Sequence, residues 1–122
     1  MKKEQALDTF WNSFDIPAYD ENSVPDGSPF PYITYQAAAD SVNHPLALSA
    51  SLWYRESTWK NITDKAEEVA EAIGYSYYKT MIDGGYMVIY RGSPFAQRMS
   101  DPEDNVIKRI LINFTVEFLT KD

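Results

Sequence analysis

Chemistry in a chain of 122 residues has to come from side chains that can converge, and the supply here is short. His44 is the single histidine, and there is no cysteine. It precedes Pro45 in a stretch that reads as a turn, and without thiolates it cannot complete a zinc set, so a surface turn residue is favoured over a ligand. The lack of cysteine also excludes disulfides and thiolate nucleophiles. No G-x-S-x-G, Gly-rich phosphate loop or H-E-x-x-H is present. Acid/base pairs can still be drawn from distant positions, but the expectation is a protein with no catalytic residues, no metal and no cofactor.

Two acidic stretches invite a calcium reading: Asp20, Glu21, Asn22 and Asp26, and Asp101, Glu103, Asp104 and Asn105. Neither fits an EF-hand, because Pro25 and Val106 stand where the sharp-turn glycine is needed. Solvated loops are expected. Asn61-Ile62-Thr63 and Asn113-Phe114-Thr115 spell glycosylation sequons, which carry no meaning without a secretion signal. Trp53, Tyr54 and Trp59 cluster, and Tyr75, Tyr77 and Tyr78 follow; such rings stack on sugars or bases, or fill cores and interfaces. A net charge of -7 disfavours bases, because nucleic-acid affinity comes largely from Lys and Arg releasing counterions. Aromatics and arginine are enriched at protein contacts. Arg55, Arg91 and Arg98, beside Trp53, Tyr90, Phe95 and Met99, are therefore the candidate contacts for copies of the chain or for partners.

The elements that would position these residues follow from periodicity. Thr58 to Gly74 places Ile62, Ala66, Val69, Ala70 and Ile73 on one helical stripe, with Ser57 or Thr58 as cap and Gly74 as terminator. Residues 2 to 14 predict an earlier helix with Ala6, Leu7, Phe10, Trp11 and Phe14 on one side, ended by Pro17. A polar, Pro-rich connection over 15 to 31 leaves room for a short extended piece at 16 to 19. Alternation predicts strands over 32 to 37 and 46 to 56, joined by a turn at 40 to 45 and paired antiparallel. A hairpin is predicted from 77 to 91 about Asp83-Gly84-Gly85. Gly92 to Asn105 reads as a polar excursion holding Phe95 and Met99 without a core register. A last strand puts Ile110, Ile112, Phe114, Val116 and Phe118 on one face.

The length suits one domain, 1 to 122, of α+β class: two layers, a mainly antiparallel β-sheet with two helices packed on one face. No apolar run approaches the roughly 20 residues that cross a bilayer, and the N-terminal MKKEQALDTFW lacks the apolar block of a signal peptide. A soluble acidic domain without membrane contact is expected.

The order of segments, with the Phe30-Pro31-Tyr32-Ile33-Thr34-Tyr35 stretch and the helix end Ile73-Gly74-Tyr75, resembles the tail terminator (tail completion) proteins of long-tailed bacteriophages and prophages over nearly the whole chain. The resemblance implies a homo-oligomeric ring, usually of six copies, that caps the tail tube, ends its growth and presents the surface joining the head connector. The implied partners are further copies of the chain, the tail tube protein and the head-tail connector protein. The implied location is the tail end of the virion, after assembly in the cytoplasm of a bacterial host. DNA would pass through the ring without specific binding, and an acidic lumen would repel it. A head-proximal connector or minor capsid protein is the alternative within virion assembly; a carbohydrate or small-ligand binding module using Trp53, Trp59 and the tyrosines is the alternative outside it.

Overall fold

The structure, a computed structural model, describes residues 1–37, 44–100 and 103–121. Eight elements follow one another: α1 (Lys3–Trp11), β1 (Ala18–Asp20), β2 (Tyr32–Tyr35), β3 (Leu46–Arg55), α2 (Lys60–Ile73), β4 (Tyr78–Ile82), β5 (Gly85–Ser100) and β6 (Ile107–Thr120). The strands form one sheet in the order β1-β2-β3-β6-β5-β4, antiparallel throughout except for the parallel pair β1 and β2. This is the α+β architecture that the alternating strands and two amphipathic helices called for.

The core lies between the helices and one face of the sheet. Alternate residues of each strand reach it: Ile33 and Tyr35, Ala50, Leu52 and Tyr54, Met87 and Ile89, and Ile110 through Phe118 in steps of two. α2 closes one half with Ile62, Ala66, Val69 and Ile73. Removing Ile62, Val69 and Ile73 from water is worth roughly 1.5–3 kcal/mol each. α1 closes the other half with Leu7, Phe10 and Trp11; the indole of Trp11 meets Phe114 edge-on at 5.2 Å and stacks on Tyr35 at 6.5 Å.

Several expectations need correction. The first helix stops at Trp11, and Phe14 is buried from the turn beyond it. Neither Ser57 nor Thr58 caps α2; the N-cap position is Trp59, without a side-chain hydrogen bond. Gly74 ends α2 at φ 80° and ψ -177°, a region essentially restricted to glycine. The Asp83-Gly84 turn is tighter than expected, since Ile82 already pairs with Gly85. The turn expected at 40 to 45 lies largely outside the described residues, as does Asp101 of the second acidic stretch; His44 itself is exposed.

The largest correction concerns Gly92 to Asn105. It is no excursion up to Ser100: β5 continues through it and pairs Ala96 to Ser100 with Ile112 to Lys108. The disguise is a bulge. Arg91 pairs with Phe114 and Ala96 with Ile112, so residues 92 to 95 stand opposite Asn113 alone. Gly92 is required there, because a Cβ would meet the Asn113 carbonyl carbon at 2.7 Å. Asn113 holds the bulge by donating from Nδ2 to the Pro94 carbonyl at 2.8 Å. The consequence is a long two-stranded arm. β4 pairs only with residues 85 to 89, so beyond Ile89 the far edge of β5 has no paired strand among the described residues.

Candidate functional site

Register converts alternation into surfaces. Residues directly opposite each other across an antiparallel pair share a face. Tyr32 pairs with Trp53, Trp53 with Arg109, and Arg109 with Met99, so one row crosses four strands on the face that no helix covers among the described residues. Trp53 stacks on Tyr32 at 6.4 Å and 25°, donates from Nε1 to Thr34 Oγ1 at 2.9 Å, and lies under the Arg109 guanidinium at 4.8 Å. Arg109 is itself fixed by donating from Nε to Ser51 Oγ at 3.0 Å. Phe30 and Tyr19 extend the row beside Tyr32. Farther along the same face Tyr90 packs against Tyr77, and burial together with the neighbouring Glu117 carboxylate raises its phenol pKa.

The second surface lies on the helix side, along the bare edge of β5. A groove of about 240 Å³ runs between Thr63, Ala66, Glu67 and Ala70 of α2 and Phe95 to Arg98 of β5, with Ile110 at its floor. Trp59, at the start of α2, has two cations near its ring: the Arg98 guanidinium at 4.8 Å and Lys108 Nζ at 5.6 Å. Lys108 is 7% exposed and donates to the Asn105 carbonyl. Arg91 donates from Nη2 to the Ala70 carbonyl at 2.7 Å, which places a cation near the last turn of α2, where the helix dipole favours one. Its guanidinium also lies over Tyr75 and Phe95.

The seven candidate contact residues therefore divide. Trp53, Arg55, Tyr90 and Met99 belong to the uncovered sheet face, whereas Arg91, Phe95 and Arg98 belong to the groove. Arg55 ends β3 and pairs with Asp104 at 3.4 Å, an exposed ion pair of small energetic weight. Trp53 and Trp59 lie on opposite sides of the sheet and form no joint platform; Tyr54, between them in sequence, is core. Sequence reasoning missed Tyr32, Thr34 and Arg109 as neighbours of Trp53, and the α2 residues of the groove. Among the described residues no three His, Asp or Glu side chains converge. In the acidic stretches Asp20 and Asp104 accept from the backbone N–H two residues on, at 3.0 Å each, so both carboxylates act as local turn formers.

No protein-family model matches the chain, and no curated protein or solved structure matches it.

Proposed function

We propose that this chain is a structural assembly protein of phage or prophage tails: a ring of copies, six in the arrangement that the resemblance implies, that caps the tail tube, stops its growth and offers the joining surface to the head connector. The observation that carries this reading is the division of the uncovered contact residues between two non-equivalent surfaces, the Tyr32–Trp53–Arg109 row on the bare sheet face and the α2–β5 groove on the other. A component that joins copies of itself and also abuts a different protein needs at least two such surfaces. Head-to-tail ring contacts likewise join unlike patches, in contrast to a twofold pair. The aromatic and arginine content of both surfaces is the composition of protein interfaces. The net charge of -7 suits a lumen that DNA traverses without sticking.

Sedimentation of the protein alone and with the tail tube protein of the same virion tests this, together with tube lengths measured by electron microscopy. The expected result is a closed ring, alone or on the tube end, and tubes of limited length. A chain that stays monomeric in both conditions and leaves tube length unchanged refutes it.

A further inference from the structure

We infer that the α2–β5 groove is a strand-addition site: an extended segment of a protein other than this chain, acidic and apolar in alternation, lies beside Ala96–Ser100 as a seventh strand beneath α2. Four observations meet there. First, Ala96–Ser100 of β5 pair with β6 on one side only among the described residues, which leaves alternate N–H and C=O groups directed outward along the sheet edge beside the groove. Second, the groove wall is small and apolar: Ala66 and Ala70 stand above it, Ile110 below and Phe95 at one end, so it admits the side chains of an incoming strand that face α2.

Third, buried polar atoms on its margin lack partners. Among the described residues, three buried side-chain nitrogens or oxygens have no hydrogen-bond partner, and two of them, Thr63 Oγ1 and Arg91 Nε, border this groove. Both can donate, and a buried donor left unmet costs free energy; with less than 1 Å² of each atom exposed, they mark a margin whose own packing is incompletely satisfied, which a guest reaches only by moving the groove wall. Fourth, the charges select the guest. In a chain of net charge -7, the exposed Arg98 and the half-buried Arg91 stand at this edge, with Glu67 as the acidic residue of the groove wall.

The same charges argue against a second copy. Antiparallel pairing of two β5 edges about Arg98 would set Arg98 against its own copy, and like charges directly opposite destabilise a strand pair. The other free margins serve no better: Asn12 occupies both backbone groups of Ala18 in β1, and β4 carries the exposed Lys79. The groove needs no ring around it to accept such a strand; it rests on the assembly reading only in being a protein-binding surface.

The test uses the full chain with two fluorescent synthetic peptides of about nine residues, alternating Val and Glu or Val and Lys. Anisotropy measures binding, and amide exchange across Ala96–Ser100 locates it. The Glu peptide is expected to bind at least roughly tenfold tighter than the Lys peptide and to protect alternate amides of that segment; Arg98→Glu, a substitution at an exposed side chain, is expected to reverse the preference. Ala70→Trp, which fills the groove, is expected to abolish protection by either peptide. Equal binding of both peptides, binding without protection of those amides, no binding, or concentration-dependent protection of the same amides in the free protein through self-pairing each overturns the inference. A monomer that binds the Glu peptide in this way would sink the ring and leave the strand site standing, whereas rings indifferent to the peptide would do the reverse.

Discussion

Asn12 is expected to be worth far more than an exposed asparagine usually is. It follows α1 and closes it, its own N–H donating to the Asp8 carbonyl at 2.9 Å. Its side chain then turns to β1: Oδ1 accepts from the Ala18 N–H at 3.0 Å, and Nδ2 donates to the Ala18 carbonyl at 3.2 Å. One amide thereby occupies both outward backbone groups of Ala18 and seals that end of the sheet. Asn12→Ala removes two hydrogen bonds to β1 at roughly 0.5–1.5 kcal/mol each, a figure already net of exchange with water, so the loss is about 2 kcal/mol. For 122 residues the unfolding entropy near the midpoint is about 0.26 kcal/mol/K, so the midpoint should fall by about 8 °C. Differential scanning calorimetry measures that fall, and amide exchange of Ala18 reports the opened edge directly. Self-association at raised concentration should accompany it, because an uncapped edge is a template for another strand. A variant within about 0.5 kcal/mol of the parent, with the Ala18 amide as protected as before, would refute the idea that this side chain seals the sheet.

Four further outcomes follow from single contacts. Gly74→Ala should cost about 1–3 kcal/mol in urea unfolding, since φ 80° with ψ -177° suits no other residue although the space beside it is empty. Gly85→Ala should destabilise by at least as much and loosen the β5–β6 pairing in exchange experiments, because its Cβ would fall on the Leu119 carbonyl oxygen. Burial pushes the Tyr54 phenol up to about 12 and raises that of Tyr35, which also donates to Asp8 at 2.7 Å. Because the folded pKa values lie above the ordinary 10.0, the stability these groups contribute is whole below pH 10 and declines as pH rises towards 12; Tyr54→Phe should flatten that decline in unfolding curves. Trp53→Ala should lose the stack on Tyr32 and the cation contact of Arg109 and, if the sheet face joins copies, weaken self-association by about 2 kcal/mol, roughly 30-fold in sedimentation.

The parts legible in the sequence were those whose pattern a single face dictates. The α2 stripe, the Asp83-Gly84 turn and the alternation of β6 each follow from burial on one side, and the structure places them within a few residues of expectation. The far half of β5 was illegible for the same reason inverted: past the bulge it leaves the core, so Ala96 to Ser100 show no apolar alternation, and Gly92 and Pro94 read as breakers. The site suffered from a subtler loss. Parity assigns Trp53 and Tyr90 to the outer face, but a slip of two residues preserves every face while changing every neighbour, so the row Tyr32–Trp53–Arg109 could not be read from periodicity. Arg91 matched the composition of a contact patch, yet one of its guanidinium nitrogens is spent on the α2 carbonyl of Ala70.

The two margins of the sheet are treated differently, and the difference has a direction. At β1 a side chain fills the backbone groups that would pair with another strand. At β4 the exposed Lys79 lies over Tyr86 at 4.5 Å, a charged guard of the kind that keeps edges apart. Along β5 beyond Ile89, among the described residues, the backbone is paired on one side only, with a helix overhead and a margin holding two buried donors without partners. A sheet with two open margins can propagate without limit, and one with none can recruit nothing. A sheet open at one place, and there to a guest unlike itself, can take one strand and then stop. If instead Arg98→Glu drove the protein into long polymers by letting β5 pair with acid-tolerant neighbours, the open edge would still be a template, and Arg98 would be the residue that limits whom it serves.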